Sequence, residues 1–400
     1  MLYHRSMKDK QSKKRVLHIG KYFSPYAGGI ESVTRDLMDA AHHADWETHA
    51  LVHHHRPFRR ASEKLGPHPI DRSPIIGDVL FTPIAPLFWW DLHQALKAEP
   101  DLLHIHMPNV SAFWCLFSRQ AKKRPWIVHW HSDVVVPGAP RALSTAYQAY
   151  RPFEQALLKR AKHIIVTNPN VLETSKALQP WGDKCTVIPL AIPDSQSSTA
   201  ETSDSETSPQ HRSLQLLTVG RLSVYKGHCF FLEVLAALKR RGVAFHWHVV
   251  GTGTEEPRIK ERIDGLKLAE QVTLHGRLSE TALGQTYAQC DVFVLPSDSA
   301  LEAFGVVLLE AMRAAKPCIV QNVAGSGMSW VVANKETGIV VPVHDKDAWI
   351  DALTDASVNP KEWRKYGESG RQRFLTQFSP EAVGESLRKL MDLSGPPNAG

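Results

Sequence analysis

Short runs of β-branched and other apolar residues alternate with helical patterns along the whole 400-residue chain. In the first half the runs are RVLHIG, THALVH, DLLHIH, WIVHW and HIIVTN, and in the second they are LQLLTVG, FHWHVVG, QVTLHG, DVFVLP and KPCIVQ. This alternation is typical of parallel sheets covered by helices on both faces. The sequence therefore predicts an α/β protein with two doubly wound, Rossmann-like domains.

A Ser/Thr-rich segment, residues 193–213, separates the two halves and has too few apolar residues to form a core. We expect a basic N-terminal tail at 1–14, a first domain at 15–192 and a second domain at 214–378. A last helix at 379–395 could pack back on the first domain. Two such domains place the carboxyl ends of both sheets beside a shared cleft, which is the usual ligand position in open α/β sheets.

Composition narrows the class of protein. Contents of 43% hydrophobic and 22% charged residues are those of a soluble globular protein. No apolar run reaches the roughly 18 residues that cross a bilayer. The apolar piece at 16–20 is too short for the core of a signal peptide, so the predicted location is the cytoplasm.

Charge is distributed unevenly along the chain. Residues 1–190 hold 25 Lys and Arg against 16 Asp and Glu, or +9, whereas residues 191–400 carry −3. The excess suits an anionic partner or a membrane surface, although much of it lies in a terminal segment that could simply be a solvated tail. Nucleic acid is not expected as a partner, because the basic half lacks interleaved aromatic residues and a recognisable binding module.

The stretch LLTVGRLSVYKGHCFFLEVLAALKRRG predicts a strand, a turn and a helix from about Gly227. Arg221 leaves the strand and Lys226 precedes the helix, so two cations and a helix N-terminus can converge on an anion such as a diphosphate. Two solvated loop cations explain this stretch alone equally well. The later GTG at 251–253 lacks the third glycine of the dinucleotide fingerprint and predicts a tight turn.

Near the N-terminus, LHIGKYFSPYAGGIESVTRDLMDAA puts Gly28 and Gly29 directly before a predicted helix. A pair of glycines lets the backbone approach a ligand closely at a helix N-terminus. A plain loop is the alternative interpretation.

Two pairs of histidines lie near the ends of predicted strands, His104 with His106 and His129 with His131. Residues two apart on a strand share a face, so four imidazoles could gather around a metal. No nearby cysteine or HExxH pattern supports a metal, and a chain with 21 histidines produces such pairs by chance, so no metal is expected. His131, followed closely by Asp133, is better placed as a polar contact or a proton-handling group.

Two carboxylates, Glu302 and Glu310, flank the apolar run in SALEAFGVVLLEAMRAAKPCIV. If residues 304–315 form a helix, Gly305 lies in its first turn and eight residues span roughly 12 Å. Such a pair is poorly placed to flank one glycosidic bond, where the separation is roughly 5–9.5 Å. It is better suited to grip two ends of a long ligand; one capping and one surface carboxylate is the alternative.

Together, SPYAGG, VGRLSVYKG, EAFGVVLLEAM and TGIVVP, in this order between residues 24 and 342, resemble the family-4 retaining glycosyltransferases of the two-domain GT-B fold. The resemblance implies two Rossmann-like domains that face each other across a cleft, with a nucleotide-sugar donor on the second. Arg221 and Lys226 would hold the diphosphate. Glu302 would hold the transferred sugar and Glu310 the ribose.

The resemblance also implies further site residues and a mechanism. His131 would contact the transferred sugar as the remaining catalytic residue. The leaving phosphate oxygen would help to deprotonate the acceptor hydroxyl, and neither a metal nor another cofactor is expected. The further donor-binding residues it implies are Gly28, Gly29, Ala303, Phe304 and Gly305, and those on the acceptor side are His106, Asn109 and Asp133.

The segments HIHMPN, HWHSDVV and AGSGMSWVVANKETGIVVP are similar to bacterial transferases that build O-antigen, capsule and exopolysaccharide. Their acceptors are commonly polyprenyl-diphosphate-linked sugars at the cytoplasmic membrane face. PIAPLFWW and HRPFRRASEK are therefore candidate membrane-facing segments, with a buried helix start and a solvated loop as equal alternatives. The resemblance implies peripheral contact with the inner face of that membrane.

The sequence thus predicts a hexosyltransferase, with mannose from GDP-mannose as the preferred donor by analogy with this group. The alternatives are a nucleotide-sugar epimerase or phosphorylase of similar fold and a non-catalytic nucleotide-sugar-binding subunit. Ala303 stands where the family often has glycine, and the basic 53–73 insertion has no family role that we can assign.

Overall fold

The computed structural model describes residues 13–24, 29–43, 46–79, 82–134, 141–194 and 213–394. The chain divides into two compact units. The first consists of Met1–Trp130, Pro140–Ile165 and Gly384–Gly400, and the second of His131–Ala139 and Val166–Val383.

This division differs from the predicted domain bounds, because residues 166–192 group with the second unit. Two side chains in this segment bind that unit directly. Asn168 Nδ2 donates to the carbonyl of Ala303 (3.2 Å), and Asn170 Nδ2 donates to the carbonyl of Ser326 (2.8 Å).

The first sheet has eight strands in the order β10-β9-β8-β7-β1-β2-β4-β3, and β5 and β6 form a separate two-stranded sheet. The strands are β1 (Arg15–Ile19), β2 (Glu47–His53), β3 (Ala61–Leu65), β4 (His68–Ser73), β5 (Gly77–Val79), β6 (Thr82–Ile84), β7 (Leu102–Met107), β8 (Trp126–Trp130), β9 (His163–Val166) and β10 (Cys185–Val187). The accompanying helices are α1 (Gly29–His43), α2 (Phe88–Leu96), α3 (Arg119–Lys122), α4 (Arg141–Arg160) and α5 (Asn170–Thr174), with 3-10 helices at Val110–Leu116 and Gln179–Lys184.

The basic 53–73 insertion contains two strands that the sequence did not predict. β3 pairs antiparallel with β4, and β4 pairs parallel with β2. β4 is HPIDRS and buries the guanidinium of Arg72, which donates to Glu63 (2.6 Å) and to the carbonyl of Phe23 (3.3 Å). A charged residue on the buried face hides the apolar alternation by which a strand is recognised.

The second sheet has six strands, all parallel, in the order β13-β12-β11-β14-β15-β16. They are β11 (Leu214–Val219), β12 (Phe245–Val250), β13 (Val272–Gly276), β14 (Val292–Leu295), β15 (Cys318–Gln321) and β16 (Gly338–Val341). The helices are α6 (His228–Arg240), α7 (Glu256–Gly265), α8 (Glu280–Gln289), α9 (Val306–Arg313), α10 (Met328–Val331), α11 (Lys346–Val358), α12 (Pro360–Arg373) and α13 (Pro380–Ser394), with a 3-10 helix at Val224–Lys226 and a π-helix at Phe374–Phe378. Counted from β11, this is the 3-2-1-4-5-6 order of the Rossmann fold.

The Rossmann order puts the topological switch point between β11 and β14, where successive crossovers turn in opposite directions. The segments after these strands, residues 220–227 and 296–305, therefore leave the carboxyl edge of the sheet side by side.

Aromatic packing supports this sheet from one face: the ring of Phe231 on α6 stands edge-on to Trp247 and to Trp349, each with centroids 5.0 Å apart. All three side chains are fully buried, and burying each contributes about 2 to 3 kcal/mol.

Most of α13 belongs to the first unit. A Cβ on Gly384 would lie 3.3 Å from the Cβ of Ala40 on α1, so this glycine lets the two helices approach closely. Lys162 Nζ donates to the carbonyl of Leu393 at 2.7 Å. No helix in the described ranges is long and apolar enough to span a membrane.

Candidate functional site

The two segments at the switch point pack backbone against backbone. Gly227 precedes α6 in the left-handed conformation (φ +71°), and a Cβ at this position would lie 2.0 Å from the carbonyl oxygen of Pro296. Only glycine therefore lets the N-terminus of α6 approach the segment after β14 so closely. The contact brings residues 226 and 302 to one place.

Lys226 and Glu302 form an ion pair at that place. Lys226 Nζ contacts Glu302 Oε2, and Ser297 Oγ donates to the same carboxylate oxygen at 3.2 Å. The side chains of Lys226 and Glu302 are only 8% and 12% exposed. The pair therefore holds a cation and a carboxylate together in a poorly solvated position at the N-terminal end of α6.

Arg221 lies in the same segment as Lys226, but its side chain is exposed to solvent. The two cations predicted to converge thus have different surroundings: Lys226 is committed to Glu302, whereas Arg221 projects into solvent at the carboxyl end of β11. Arg221 is consequently available for an anion that approaches from outside.

Residues of the AGSG motif fix the segment that carries Glu302 through hydrogen bonds to its carbonyl groups. Ser326 Oγ donates to the carbonyl of Glu302 at 2.5 Å, and the backbone N–H of Gly327 donates to the carbonyl of Ala303 at 2.8 Å. The ring of Phe304 is buried and stands edge-on to Trp330 at 6.3 Å. Carbonyls and a ring thus anchor the segment.

Some backbone N–H groups of this segment, unlike its carbonyl groups, are available to a ligand. Within the described part of the chain, the backbone N–H groups of Ala303, Phe304 and Gly305 have no hydrogen-bond acceptor. Three consecutive donors at the start of a helix provide a site for an anion or for sugar hydroxyls.

The helix after this segment is shorter than predicted. It spans Val306–Arg313 rather than 304–315, and Gly305 precedes it in the left-handed conformation (φ +80°) instead of lying in its first turn. A Cβ at Gly305 would lie 2.8 Å from Leu308 Cδ1, so a larger residue would displace the helix.

Glu310 lies on α9 and is held by a residue that sequence reasoning missed. Tyr287 Oη, from α8, donates to Glu310 Oε2 at 2.8 Å. Burial raises the pKa of Glu310, and the hydrogen bond from Tyr287 opposes that rise. Tyr287 thus fixes the carboxylate and favours its ionised form.

The GTG at 251–253, for which the sequence predicts a tight turn, directly precedes a turn at Thr254 and Glu255. A Cβ on Gly251 would lie 1.9 Å from the carbonyl oxygen of Gly220, and one on Gly253 would lie 2.1 Å from that of Leu222. Both glycines allow this turn to pack against the segment that carries Arg221 and Lys226.

In the first unit, Gly28 lies outside the described residues, and Gly29 is the first residue of α1. Of the predicted histidine pairs, His104, His106 and His129 lie on strands and His131 follows β8; the rings of His104 and His106 stack with centroids 4.7 Å apart. His18, which the sequence did not single out, joins them: its Nδ1 lies 3.2 Å from His106 Nε2. The ligand nitrogens of these three residues lie within 4.8 Å of one another, and all three are buried.

The residues predicted on the acceptor side are occupied in local contacts. Asn109 is buried and caps the 3-10 helix Val110–Leu116 through a hydrogen bond from the N–H of Ser111 (3.1 Å). Asp133 Oδ1 accepts a hydrogen bond from Ser175 Oγ (2.6 Å).

His131 is buried, and burial lowers its pKa to about 3, so the imidazole is neutral at physiological pH.

Comparisons with known proteins identify the family of this chain. The family model "Glycosyl transferase 4-like domain" matches residues 28–191, and the model "Glycosyl transferases group 1" matches residues 200–373. The chain belongs to the family-4 glycosyltransferases of the GT-B fold. The predicted resemblance, including that to the bacterial surface-polysaccharide members, is confirmed, and so are the fold class and the enzyme class.

Relatives of this glycosyltransferase match it over nearly its full length. It is 26% identical to the O-antigen chain mannosyltransferase C of Escherichia coli, over 94% of this chain and 97% of that protein. It is also 26% identical to the D-rhamnosyltransferase WbpZ of Pseudomonas aeruginosa, over 91% and 92%.

Solved structures share the fold of this glycosyltransferase. Sucrose-phosphate synthase from Thermosynechococcus elongatus superposes with a TM-score of 0.75 at 22% identity, covering 95% of this chain and 99% of that one. Anabaena HepE in complex with UDP gives a TM-score of 0.70 at 16% identity, covering 95% and 100%.

Sequence reasoning missed the residues that hold the candidate side chains in place. Tyr287 lies 23 residues before its partner Glu310, and Ser326 lies 24 residues after Glu302. Ser326 belongs to the AGSG segment, whose likeness to surface-polysaccharide transferases was the available signal. Tyr287 had none, because an aromatic residue on a helix is ordinarily part of the core.

Proposed function

We propose that this glycosyltransferase is a retaining hexosyltransferase that moves mannose from GDP-mannose to a lipid-linked saccharide in the synthesis of a cell-surface polysaccharide. The full-length similarity to an O-antigen chain mannosyltransferase supports the sugar and the pathway class. The fold shared with HepE, whose structure contains UDP, supports a nucleotide-diphosphate donor. Transfer is favoured over the epimerase, phosphorylase and non-catalytic alternatives, because the family models and both full-length relatives are transferases.

The acceptor is proposed to be a polyprenyl-diphosphate-linked saccharide at the inner face of the cytoplasmic membrane. An anionic lipid headgroup matches the +9 charge of residues 1–190. Asn109 offers a group on this side of the reaction, since its buried Nδ2 has no hydrogen-bond partner among the described residues. His106 and Asp133 complete the proposed acceptor set.

Lys226 is proposed to bind the donor diphosphate. Its ammonium already lies against Glu302 at the N-terminal end of α6, where a phosphate oxygen can take up the remaining donors. Arg221, exposed in the same segment, is proposed to approach the diphosphate from the solvent side. Gly28, Gly29 and the free amides of residues 303–305 are proposed as the remaining contacts.

The two carboxylates are proposed to hold the two ends of the donor. Glu302, with one oxygen bound by Lys226 and Ser297, has its other oxygen left to accept from hydroxyls of the transferred sugar. Glu310, held by Tyr287, is proposed to accept from the ribose hydroxyls. The diphosphate then lies between them, beside Lys226.

The proposed reaction proceeds on one face of the sugar. The bond between the anomeric carbon and the diphosphate oxygen breaks, and the acceptor oxygen bonds to that carbon from the same face. The acceptor proton passes to the leaving diphosphate oxygen, so the products are the glycoside and the protonated nucleotide diphosphate. Lys226 and Arg221 stabilise the charge that develops on the leaving group.

His131 is proposed to hold the transferred sugar by a hydrogen bond rather than to carry a proton. A pKa of about 3 keeps its imidazole neutral throughout the physiological range. A neutral imidazole can donate from one nitrogen and accept at the other.

The observation that carries this proposal is the Lys226–Glu302 pair at the switch point of a Rossmann sheet. Its test is a panel of UDP-, GDP- and dTDP-sugars incubated with the full chain, with and without membrane lipid extract, and assayed for nucleotide release. GDP-mannose with lipid extract is expected to give the highest release. Equal release from all donors without acceptor, or full activity in Arg221→Ala and Glu310→Ala, would contradict the proposal.

A further inference from the structure

The first unit exposes large aromatic side chains to an unusual degree. Six of them, between 41% and 78% exposed, are Phe58, Trp89, Trp90, Trp114, Phe117 and Phe153. In the described part of the second unit, the large apolar side chains exposed to this extent are all aliphatic and lie far apart in the sequence: Val224, Leu301 and Val358. Single exposed apolar residues are ordinary, but a group of aromatic ones marks an interaction surface.

These aromatic residues lie on elements of the first unit that contact one another. Trp89 and Trp90 are neighbours on α2, with ring centroids 5.7 Å apart, and α2 packs on the 3-10 helix that carries Trp114. From there the contacts run to Phe117 (6.2 Å from Trp114) and on to Phe153 of α4 (6.3 Å from Phe117). We call these five residues the aromatic surface.

A basic loop adjoins the aromatic surface at the α2 end. Arg60 forms an ion pair with Asp91 of α2 at 2.7 Å, which ties the loop to the helix that carries the tryptophans. Phe58, at the tip of this loop, is 78% exposed, and its neighbours Arg56 and Arg59 are exposed as well. Exposed aliphatic side chains between the loop and α2 extend the apolar area: Ile76, Val79, Ile84 and Leu87.

Basic residues also lie at the opposite end of the surface. Arg119, Lys122 and Lys123 follow Phe117 directly and are exposed. Among the nearby acidic residues, Asp91 is paired with Arg60, and Glu154 is fully buried. The apolar centre is therefore bordered by cations at both ends.

We propose that the aromatic surface, with the basic loop at 56–60, docks on an anionic phospholipid bilayer. Tryptophan side chains favour the boundary between headgroups and acyl chains, and exposed Arg and Lys beside them are attracted to anionic lipid. A second protein copy is less well matched, since exposed cations around the apolar centre would face cations of the other copy. The inference rests on the proposed lipid-linked acceptor, which it places at this face of the first unit.

The test measures partitioning of the full chain onto vesicles by flotation. Vesicles of phosphatidylcholine with phosphatidylglycerol are expected to bind the protein, and those of phosphatidylcholine alone to bind it less. The double variant Trp89→Ser with Trp90→Ser is expected to lower binding about tenfold or more. Val358→Ser with Leu375→Ser, which removes two exposed apolar side chains from the second unit, is the matched control and should bind as the wild type does.

A second pair of changes separates charge from apolar contact. Arg56→Gln with Arg59→Gln is expected to weaken binding to phosphatidylglycerol vesicles at low salt and to change it little at high salt. Absence of wild-type binding to these vesicles, or equal binding by the tryptophan variant, would overturn the proposal. So would light scattering that shows a wild-type dimer converted to a monomer by the tryptophan changes, because the surface would then join two copies.

The outcome is distinguishable from that for the catalytic proposal. Circular dichroism should show the tryptophan variant folded, and it should bind GDP-mannose and use a water-soluble acceptor as the wild type does. Loss of turnover restricted to vesicle-borne acceptor supports the docking surface. If wild-type protein binds vesicles but no nucleotide sugar, the proposed transferase chemistry fails and the docking surface stands.

Discussion

The two large sheets are both mainly parallel, but the side chains around them differ. At the switch point of the second sheet lie a buried lysine and two carboxylates, each held by a named partner. The strands of the first sheet instead bury histidines, and its unit displays aromatic side chains on its surface. Similar layers thus carry different side chains at the sheet edge and on the surface, and function is argued from those side chains rather than from the layers.

The two units also differ in how they accommodate buried ionisable side chains. In the second unit, Lys226 and Glu302 are buried against each other as an ion pair, so each side chain has an oppositely charged partner. In the first unit, His18 and His53 are buried in the uncharged form, because desolvation lowers the pKa of both side chains. We therefore expect anion binding and charge stabilisation to depend on the second unit.

The largest expected effect tests that assignment. Lys226→Ala removes the buried ammonium that is proposed to stabilise the leaving diphosphate, and turnover should fall by roughly 10²- to 10³-fold. Lys365→Ala, on the exposed face of α12, is the matched control and should leave turnover unchanged. Initial rates of nucleotide release measure both, and similar rates for the two variants would remove the contrast between the units.

A smaller effect is expected from Tyr287→Phe, which keeps the ring and loses the hydrogen bond to Glu310. The donor KM should rise about tenfold, the cost of one hydrogen bond to a charged group, with a lesser change in kcat. Because that bond lowers the pKa of Glu310, the variant's pKa is higher, and the acidic limb of donor binding should move to higher pH. Tyr366→Phe is the control, and a fall in kcat alone would show that Tyr287 does not act through the donor site.

Stability should respond to pH through the buried histidines. Burial lowers the pKa of His53 and of His228 to about 4, whereas unfolded histidine titrates near pH 6.5. As the pH falls, the unfolded chain binds protons first, so the free energy of unfolding should be level above about pH 7 and decrease between about pH 6.5 and pH 4.

Denaturant unfolding across this range measures the slope. His53→Gln removes one titrating group from the first unit and should reduce the slope, whereas His93→Gln, on the exposed face of α2, should not. A slope that is unchanged by His53→Gln would contradict the neutral state of that residue in the folded protein.

The smallest expected effect on activity is that of removing metal ions with a chelator. Ligand nitrogens of His18, His104 and His106 lie within 4.8 Å of one another, a proximity that a metal site would need. The proposed mechanism uses no metal, so activity in excess chelator should equal that in buffer. Loss of activity that zinc restores would transfer part of the chemistry to the first unit.

Much of the fold was predictable because apolar strands in a parallel sheet are continuous in sequence. All ten predicted strands are present, from RVLHIG to KPCIVQ. β4 was missed because Arg72 interrupts its apolar pattern.

The site was predictable where motifs name the binding residues and unpredictable where a contact links distant segments. Lys226 and Glu302 stand in quoted motifs, but their ion pair joins residues 76 apart, and no periodicity reports such a distance. The same holds for Ser326 beneath Glu302 and for Tyr287 beside Glu310. The helix start next to the left-handed Gly305 was misplaced by two residues, because helix ends depend on such backbone conformations.

The most direct test of the central claim is calorimetric titration of GDP-mannose into the wild type, Glu310→Gln and Glu280→Gln. Glu280, in the first turn of α8, is an exposed control with the same change of charge. The donor is expected to bind the wild type and Glu280→Gln equally and to bind Glu310→Gln at least about tenfold more weakly. Equal binding to all three proteins would contradict a donor site at the carboxyl edge of the second sheet.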